Sequence, residues 1–445
     1  MINPTIDIDY EAFEKLAKHI DPNVILRSLA SMDAPTLQKT LMAASGNSNK
    51  KKQAPPIDSD FFDIYDAVTP EQRRIGEFTR EFMIREIKPL AAEYWEKGET
   101  PKEWIPKAGE LIRNLFGEDY VFEYPSSDPV SVGLMTMEMA AVEPSFQTFF
   151  GVQWALCMAS IQMFGSDEQK AKWIPDMVQF KKIGSWALTE PDVGSATAAG
   201  LQTTAEKHGD TWIINGEKKW SGNATIADVN VIWAKNMETG QVNGFLVEKG
   251  QPGYHVEKLE GKISKRMVEN VLIKLDEVEV HESNRLPGVT SFKDTARQLA
   301  TARAGVGWEA VGVAKGAYEA TLSYANERMQ FGKPITAFQL VQMNLVKMLG
   351  NLTAMQTMAL RMAQLEARDG YISHERASLS KAWMSDKLRE TVAIGRGTLG
   401  GNGILIEHDV ARFFVDAEAN YSYEGTYEMN SLIVGRSITG QSAFV

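Results

Sequence analysis

The stretch Tyr423-Glu424-Gly425-Thr426, about twenty residues before the end of the sequence, decides how the rest is read. It carries two readings. In one, Glu-Gly-Thr is a helix-entry turn, with Thr426 as the N-cap of a helix over 427–438. In the other, Glu424 is a positioned base whose pKa is raised by burial. Tyr423 would then supply an apolar wall, and Gly425 would let the backbone approach a ligand closely. Taken alone, the turn is the more ordinary explanation.

Three stretches upstream change the balance. Leu188-Thr189-Glu190-Pro191-Asp192-Val193-Gly194-Ser195 reads as an irregular loop leaving a sheet. Such a loop exposes N–H groups and hydroxyls to a planar, acceptor-rich ring, although a plain turn explains it as well. Arg328-Met329-Gln330-Phe331-Gly332 follows a long helical stretch. Its guanidinium can hold a diphosphate bidentately and Phe331 can pack on a ring; the alternative is a helix C-terminus with a cation and a glycine cap. Leu399-Gly400-Gly401-Asn402-Gly403 permits close backbone approach and can cradle a phosphate or an adenosine. Its spacing and the lack of a preceding strand exclude a dinucleotide-binding fingerprint.

The 445 residues, 44% of them hydrophobic, are enough for a large core and more than one domain. No apolar run reaches the roughly 18–20 residues of a membrane span. Met1 to Tyr10 carries Asp7 and Asp9 and no basic residue, which fits neither a signal nor a transit peptide. The single Cys157 excludes an internal disulfide and suits a reducing, cytoplasmic setting. A net charge of -11 argues against nucleic acid as a partner. No His/Cys/Asp/Glu cluster has metal-ligand spacing, so no metal is expected.

Periodicity divides the chain into an extension and linker over 1–60, a helical domain over 61–182, a β domain over 183–290 and a helical domain over 291–445. Thr69-Pro70-Glu71-Gln72 marks a helix start with a capping box. Helical patterns follow, including 132–141 and 154–164. Trp212 to Trp220 reads as a hairpin turning at Asn215-Gly216. Strands are expected at 229–233 and 244–247. Residues 299–327 and 341–368 read as long helices of an antiparallel bundle.

The four stretches, in this order, resemble the acyl-CoA dehydrogenase family of flavoproteins. The likeness covers roughly residues 61–445 and is nearest the glutaryl-CoA dehydrogenase branch and the related plant short-chain acyl-CoA oxidases. The resemblance implies a mainly α fold with a central β domain: an N-terminal helical domain, a small β-barrel-like domain and a C-terminal four-helix bundle. It implies FAD as cofactor, an acyl-CoA substrate, an electron-transferring flavoprotein or oxygen as acceptor, and a homotetramer or homodimer. Glu424 would be the base at the α carbon, with hydride transfer from the β carbon to flavin N5 leaving a trans-2-enoyl thioester. Its backbone N–H would polarise the thioester carbonyl. Trp186, Leu188, Thr189, Ser195, Trp220, Ser221 and Gly222 would adjoin the flavin. Arg328, Gln330, Phe331, Phe338 and Gln339 would hold FAD from a neighbouring subunit, with Gly400, Gly401, Thr426 and Glu428 completing its site. Ser195, Arg303 and Gly425 would contact substrate.

Some members place the base on the earlier helix, at the position of Ala302 here, which cannot serve. Three departures bear on specificity. Ala196 replaces an aspartate of the family pattern. Gly222 stands where many dehydrogenases carry a hydroxyl, as it does in the plant oxidases. Lys102 and Pro106 stand where glutaryl-CoA dehydrogenases have an arginine and a serine, which argues against glutaryl-CoA itself.

Overall fold

The computed structural model describes residues 55–195 and 200–443. Residues 1–54 of the extension and linker expected over 1–60, and the departure at Ala196, lie outside them. Helix α1 (Pro70–Phe82) begins as its sequence dictates. Thr69 accepts from the Gln72 N–H, Gln72 returns the bond, and Pro70 needs no donor. A wide π-type turn at Met83–Ile87 leads into α2 (Lys88–Lys97), and α3 (Trp104–Phe116) follows.

Helix α4 (Pro129–Val142) is buried around nearly its whole circumference. Met135, Met139 and Val142 face one core while Val130, Leu134, Met137 and Ala140 face another. A helix with apolar residues on opposite sides is expected only where both sides are covered. Then come α5 (Pro144–Gly151), a π-type turn at Val152–Met158, α6 (Ala159–Phe164) and α7 (Asp167–Val178).

The middle of the chain is one curled seven-stranded sheet. Its strands are β1 (Gly184–Ala187), β2 (Thr204–His208), β3 (Thr211–Ser221), β4 (Val229–Asn236), β5 (Val242–Glu248), β6 (Tyr254–Lys258) and β7 (Val271–His281). The order is β1-β4-β2-β3-β7-β6, with β5 on β4. β1 runs parallel to β4, pairing Trp186 with Val231. The expected hairpin within 212–220 is corrected here. Those residues form a single strand, and the chain turns earlier, between His208 and Thr211, at Gly209-Asp210. Asn215-Gly216 is a bulge, across which the pairing with β7 slips. Gly216 has φ 142, and a Cβ there would lie 2.6 Å from Thr203 Oγ1. Asn215 Oδ1 accepts from the Glu277 N–H at 2.8 Å across the strand pair. The Asn-Gly signal marked a backbone irregularity of the right kind in the wrong role.

The C-terminal domain is helical: α8 (Phe292–Glu327), α9 (Gln339–Asp369), α10 (His374–Thr398), α11 (Asp409–Ser422) and α12 (Tyr427–Thr439). The first four pack together and α12 lies against α10. Between α8 and α9, Met329–Gln330 and Lys333–Pro334 form a small hairpin. Phe331 (φ 51) and Gly332 (φ 78) make its turn, so Gly332 is a hairpin residue and not a helix cap. Among the described residues no helix is long and apolar enough to cross a membrane.

Helix α8 crosses α4 at unusually short range. A Cβ at Gly312 would fall 2.2 Å from the Met137 carbonyl oxygen, and one at Gly316 would fall 2.3 Å from that of Ala141. Backbone cannot rotate aside as a side chain can. Gly312→Ala is therefore expected to destabilise the protein by about 1–3 kcal/mol. A lower urea midpoint checks this; an unchanged midpoint would mean the helices have slack at the crossing.

Candidate active site

A cavity of about 890 Å³ lies among α4, α5, the sheet, α8 and the turn before α12. That is the size of a small-molecule or cofactor site. Of the residues singled out from sequence, Trp186, Leu188, Thr189, Ser195, Trp220, Ser221, Gly222, Arg303, Glu424, Gly425 and Thr426 line it. Arg328, Gln330, Phe331, Phe338, Gln339, Gly400, Gly401 and Glu428 do not.

Glu424 sits between the end of α11 and the start of α12. Its backbone is left-handed (φ 53), as is that of Gly425 (φ 83). Three side chains fix this turn by its carbonyls. Arg303 Nε donates to the Glu424 oxygen at 3.2 Å. Lys381 Nζ donates to the oxygens of Tyr421 and Gly425, each at 2.7 Å. Asn430 Nδ2 donates to Gly425 at 2.8 Å and Thr426 at 3.0 Å. Thr426 caps α12 by accepting from the Met429 N–H, as its sequence predicts. The turn reading and the base reading are therefore both compatible with one geometry.

The Glu424 carboxyl is left to the cavity. Its Oε2 is shut away from solvent and has no hydrogen-bond partner. Burial raises its pKa, Arg303 and Lys381 oppose the rise, and Glu309 adds to it. Burial also pushes Lys381 down to about 8.

The loop after β1 is mounted on a buried ion pair. Glu190 accepts from the N–H groups of Gln202 (2.7 Å) and Thr203 (2.9 Å) and from Lys218 Nζ (2.8 Å). Lys218 also donates to the Leu188 oxygen at 3.1 Å, and the Lys219 N–H holds the Thr189 oxygen at 2.8 Å. Trp186 Nε1 donates to Ser160 Oγ at 3.1 Å. At the end of β3, Trp220 takes φ 73, rare for a bulky residue, and its carbonyl accepts from Asn270 Nδ2 at 2.7 Å. A Cβ at Gly222 would meet Val152 at 3.2 Å and Val268 at 3.3 Å, so the position is tight as well as lacking a hydroxyl.

The remaining sequence-predicted residues gather elsewhere. Phe331 is 91% exposed and meets Phe338 edge-on at 6.0 Å. Asn402, in the Gly400–Ile404 turn, donates to Tyr324 OH at 2.8 Å, one helical turn before Arg328. The hairpin and the glycine turn thus share one end of the helical domain. Glu428 stands on the first turn of α12, where its own backbone N–H and Thr426 lower its pKa.

Sequence reasoning passed over Glu309, Lys381, Lys265, Tyr124 and Glu366. Only the fold brings Glu309, Lys265, Tyr124 and Glu366 to the cavity and Lys381 to the carbonyls of the Glu424 turn, and no local pattern marks them. Glu366, on α9, has its pKa pushed up to about 7 by burial.

The three family models describe the N-terminal, middle and C-terminal domains of acyl-CoA dehydrogenases, and match residues 69–181, 185–278 and 292–439. A probable acyl-CoA dehydrogenase of Bacillus subtilis is 31% identical over 378 residues, covering 83% of this chain and 98% of its own. A crystal structure of glutaryl-CoA dehydrogenase from Mycobacterium smegmatis is 36% identical with a TM-score of 0.81, covering 86% of this chain and 98% of its own. A second structure of a glutaryl-CoA dehydrogenase from that organism, in complex with FADH2, is 32% identical at the same TM-score and coverage. The structure of butyryl-CoA dehydrogenase from Megasphaera elsdenii is 27% identical with a TM-score of 0.76, covering 83% and 98%. These matches, which span all three domains, make the protein an oxidoreductase. The chain belongs to the acyl-CoA dehydrogenase family.

Glu366 gives a stability test with a definite sign. Its folded pKa, about 7, lies above the ordinary 4.5. The stabilisation it lends is thus fully present below about pH 4.5 and lost as pH rises through about 7. Glu366→Gln should raise unfolding free energy at pH 8 by roughly 1–3 kcal/mol while changing little at pH 4. Urea unfolding at both values checks it; equal effects at the two would contradict it.

Proposed function

We propose that the protein carries out FAD-dependent α,β-dehydrogenation of a short- or medium-chain acyl-CoA thioester, with Glu424 as the base. The observation that carries this is the Glu424 carboxyl: raised in pKa, with an Oε2 that is shut off from solvent and has no protein partner at the cavity wall. A carboxylate in that state can accept a proton from a carbon acid near neutral pH.

The cavity suits a flavin. Ser221 Oγ, Ser264 Oγ and Gln147 Oε1 are buried at its wall with no protein partner, a costly arrangement that a polar ring system would relieve. Trp186, Leu188 and Val152 supply apolar walls beside them. Thr189, Ser195, Trp220, Gly222 and Thr426 would complete the ring end of the site. Arg328, Gln330, Phe331, Gln339, Gly400 and Gly401, all exposed, and the half-buried Phe338, gathered at one end of the helical domain, would serve FAD bound mainly by another copy of the chain. That reading requires at least a dimer. When bound, FAD supplies the two-electron acceptor for the β hydrogen.

The chain's own residues do the rest. Glu424 takes the α proton. Its backbone N–H, presented by the left-handed turn, would polarise the thioester carbonyl. Arg303 holds that turn from α8, and Tyr423 closes the wall behind the reacting carbons. Lys102 and Pro106, expected at the distal end of the acyl chain, are instead exposed and outside the cavity, so they carry no argument about the acyl group. The acceptor of the electrons would be an electron-transferring flavoprotein or oxygen. Gly222 supports a second reading, an acyl-CoA oxidase that releases peroxide, because it removes a hydroxyl beside the ring.

Purified protein should be yellow and should bleach without oxygen on adding a short acyl-CoA. Glu424→Gln should keep the colour and slow bleaching on the order of a thousandfold. Near-normal bleaching in that variant would remove Glu424 from the chemistry. The rate should fall as pH drops through a midpoint above the ordinary 4.5, the direction in which Glu424 is shifted. Peroxide on admitting air would select the oxidase.

A further inference from the structure

A buried ion pair at the cavity has no part in the steps above. Lys265 and Glu309 are 4% and 2% exposed and bonded to each other through Nζ and Oε1. Lys265 lies between β6 and β7 and takes φ 48, a conformation rare for a long side chain. Its Nζ also donates to the Pro144 oxygen at 2.8 Å, and its N–H to Asp416 Oδ1 on α11 at 2.6 Å. Glu309 Oε2 accepts the phenol of Tyr423, and Oε1 lies 3.4 Å from Thr148 Oγ1. One carboxylate therefore ties α5, α8 and the loop before β7 to the residue next to Glu424.

Stability does not account for such a pair. Desolvating both charges costs several kcal/mol, and apolar replacements of buried pairs are often neutral or better. Its location is more informative. Glu309 and Tyr423 both line the cavity, and among the described residues Glu309 is the carboxylate that acts to raise the pKa of Glu424.

We propose that the Lys265–Glu309 pair positions the base: Glu309 anchors the Tyr423 phenol and with it the left-handed turn, while Lys265 cancels the charge that Glu309 would otherwise direct at the Glu424 carboxyl. This rests on Glu424 being the base. Arg303 and Glu309 face that carboxyl from α8, Lys381 from α10, and Tyr124 from the segment before α4. Glu428 on α12 acts on Lys381. Neither Lys265 nor Glu309 holds a carbonyl of the turn, so the pair's charges can be unbalanced without removing those bonds.

The test uses the FAD-loaded enzyme and two readouts. The first is the infrared band of the protonated Glu424 carboxyl, assigned by its loss in Glu424→Gln and followed against pH. The second is the pH profile of anaerobic flavin bleaching by butyryl-CoA. Lys265→Met leaves Glu309 uncompensated and should move both midpoints up by about one pH unit. Glu309→Gln leaves Lys265 in excess and should move them down. The double variant Lys265→Met with Glu309→Gln restores neutrality and should return them to within about 0.3 of wild type. Should Lys265→Met fail to fold, the other two variants make the same comparison. Midpoints unmoved in all folded variants would overturn the proposal and leave the pair structural. Rapid bleaching by Glu424→Gln would instead overturn the base reading, so the two failures are separable.

Discussion

A two-residue left-handed turn, gripped by its carbonyl oxygens, is the constraint on which this site depends. Glu424 at φ 53 costs roughly 1–2 kcal/mol relative to an ordinary backbone, and Gly425 spares the next position the same cost. Arg303, Lys381 and Asn430 supply the hydrogen bonds that hold it. Bonds from charged donors contribute about 1.5–3 kcal/mol each, so the grip outweighs the strain. Because the backbone oxygens take up these donors, the carboxyl is left unpaired toward the cavity. A turn held by its side chain would have neutralised the group it displays.

The same economy governs the opposite wall. Glu190 is spent on structure: it accepts two backbone N–H groups and Lys218, and so fixes the Leu188-Thr189 segment against the sheet. Its partner comes from β3, and register with β2 and β7 sets where that lysine falls. Gly312 and Gly316 bring α8 close to α4, and α8 in turn carries Arg303 and Glu309 to the cavity. Packing far from Glu424 thus sets distances at Glu424.

Much of this was legible in the chain. The capping box at Thr69, the long helices and the Thr426 cap follow from local rules, and the structure contains each. The cavity-lining stretches also carry local marks, because loops that meet ligands need proline, glycine and hydroxyls at set spacings. The Asn215-Gly216 turn was misread because a bulge and a hairpin make the same demand on the backbone; only the cross-strand partners Thr203 and Glu277 distinguish them. Lys381, Glu309, Lys265 and Glu366 were invisible for another reason. Each is an ordinary charged residue in a helix or loop, and its burial depends on which helices meet. The residues expected at the flavin fall into two groups, one at the cavity and one at the hairpin and glycine turn beside the end of α8.

The most direct test is a crystal structure of the protein with FAD and a non-reactive short-chain acyl-CoA analogue. The account predicts the Glu424 carboxyl within about 3–3.5 Å of the carbon beside the thioester carbonyl, on the face of the acyl chain opposite the flavin. A Glu424 side chain turned out to solvent, or a thioester bound beyond its reach, would contradict it.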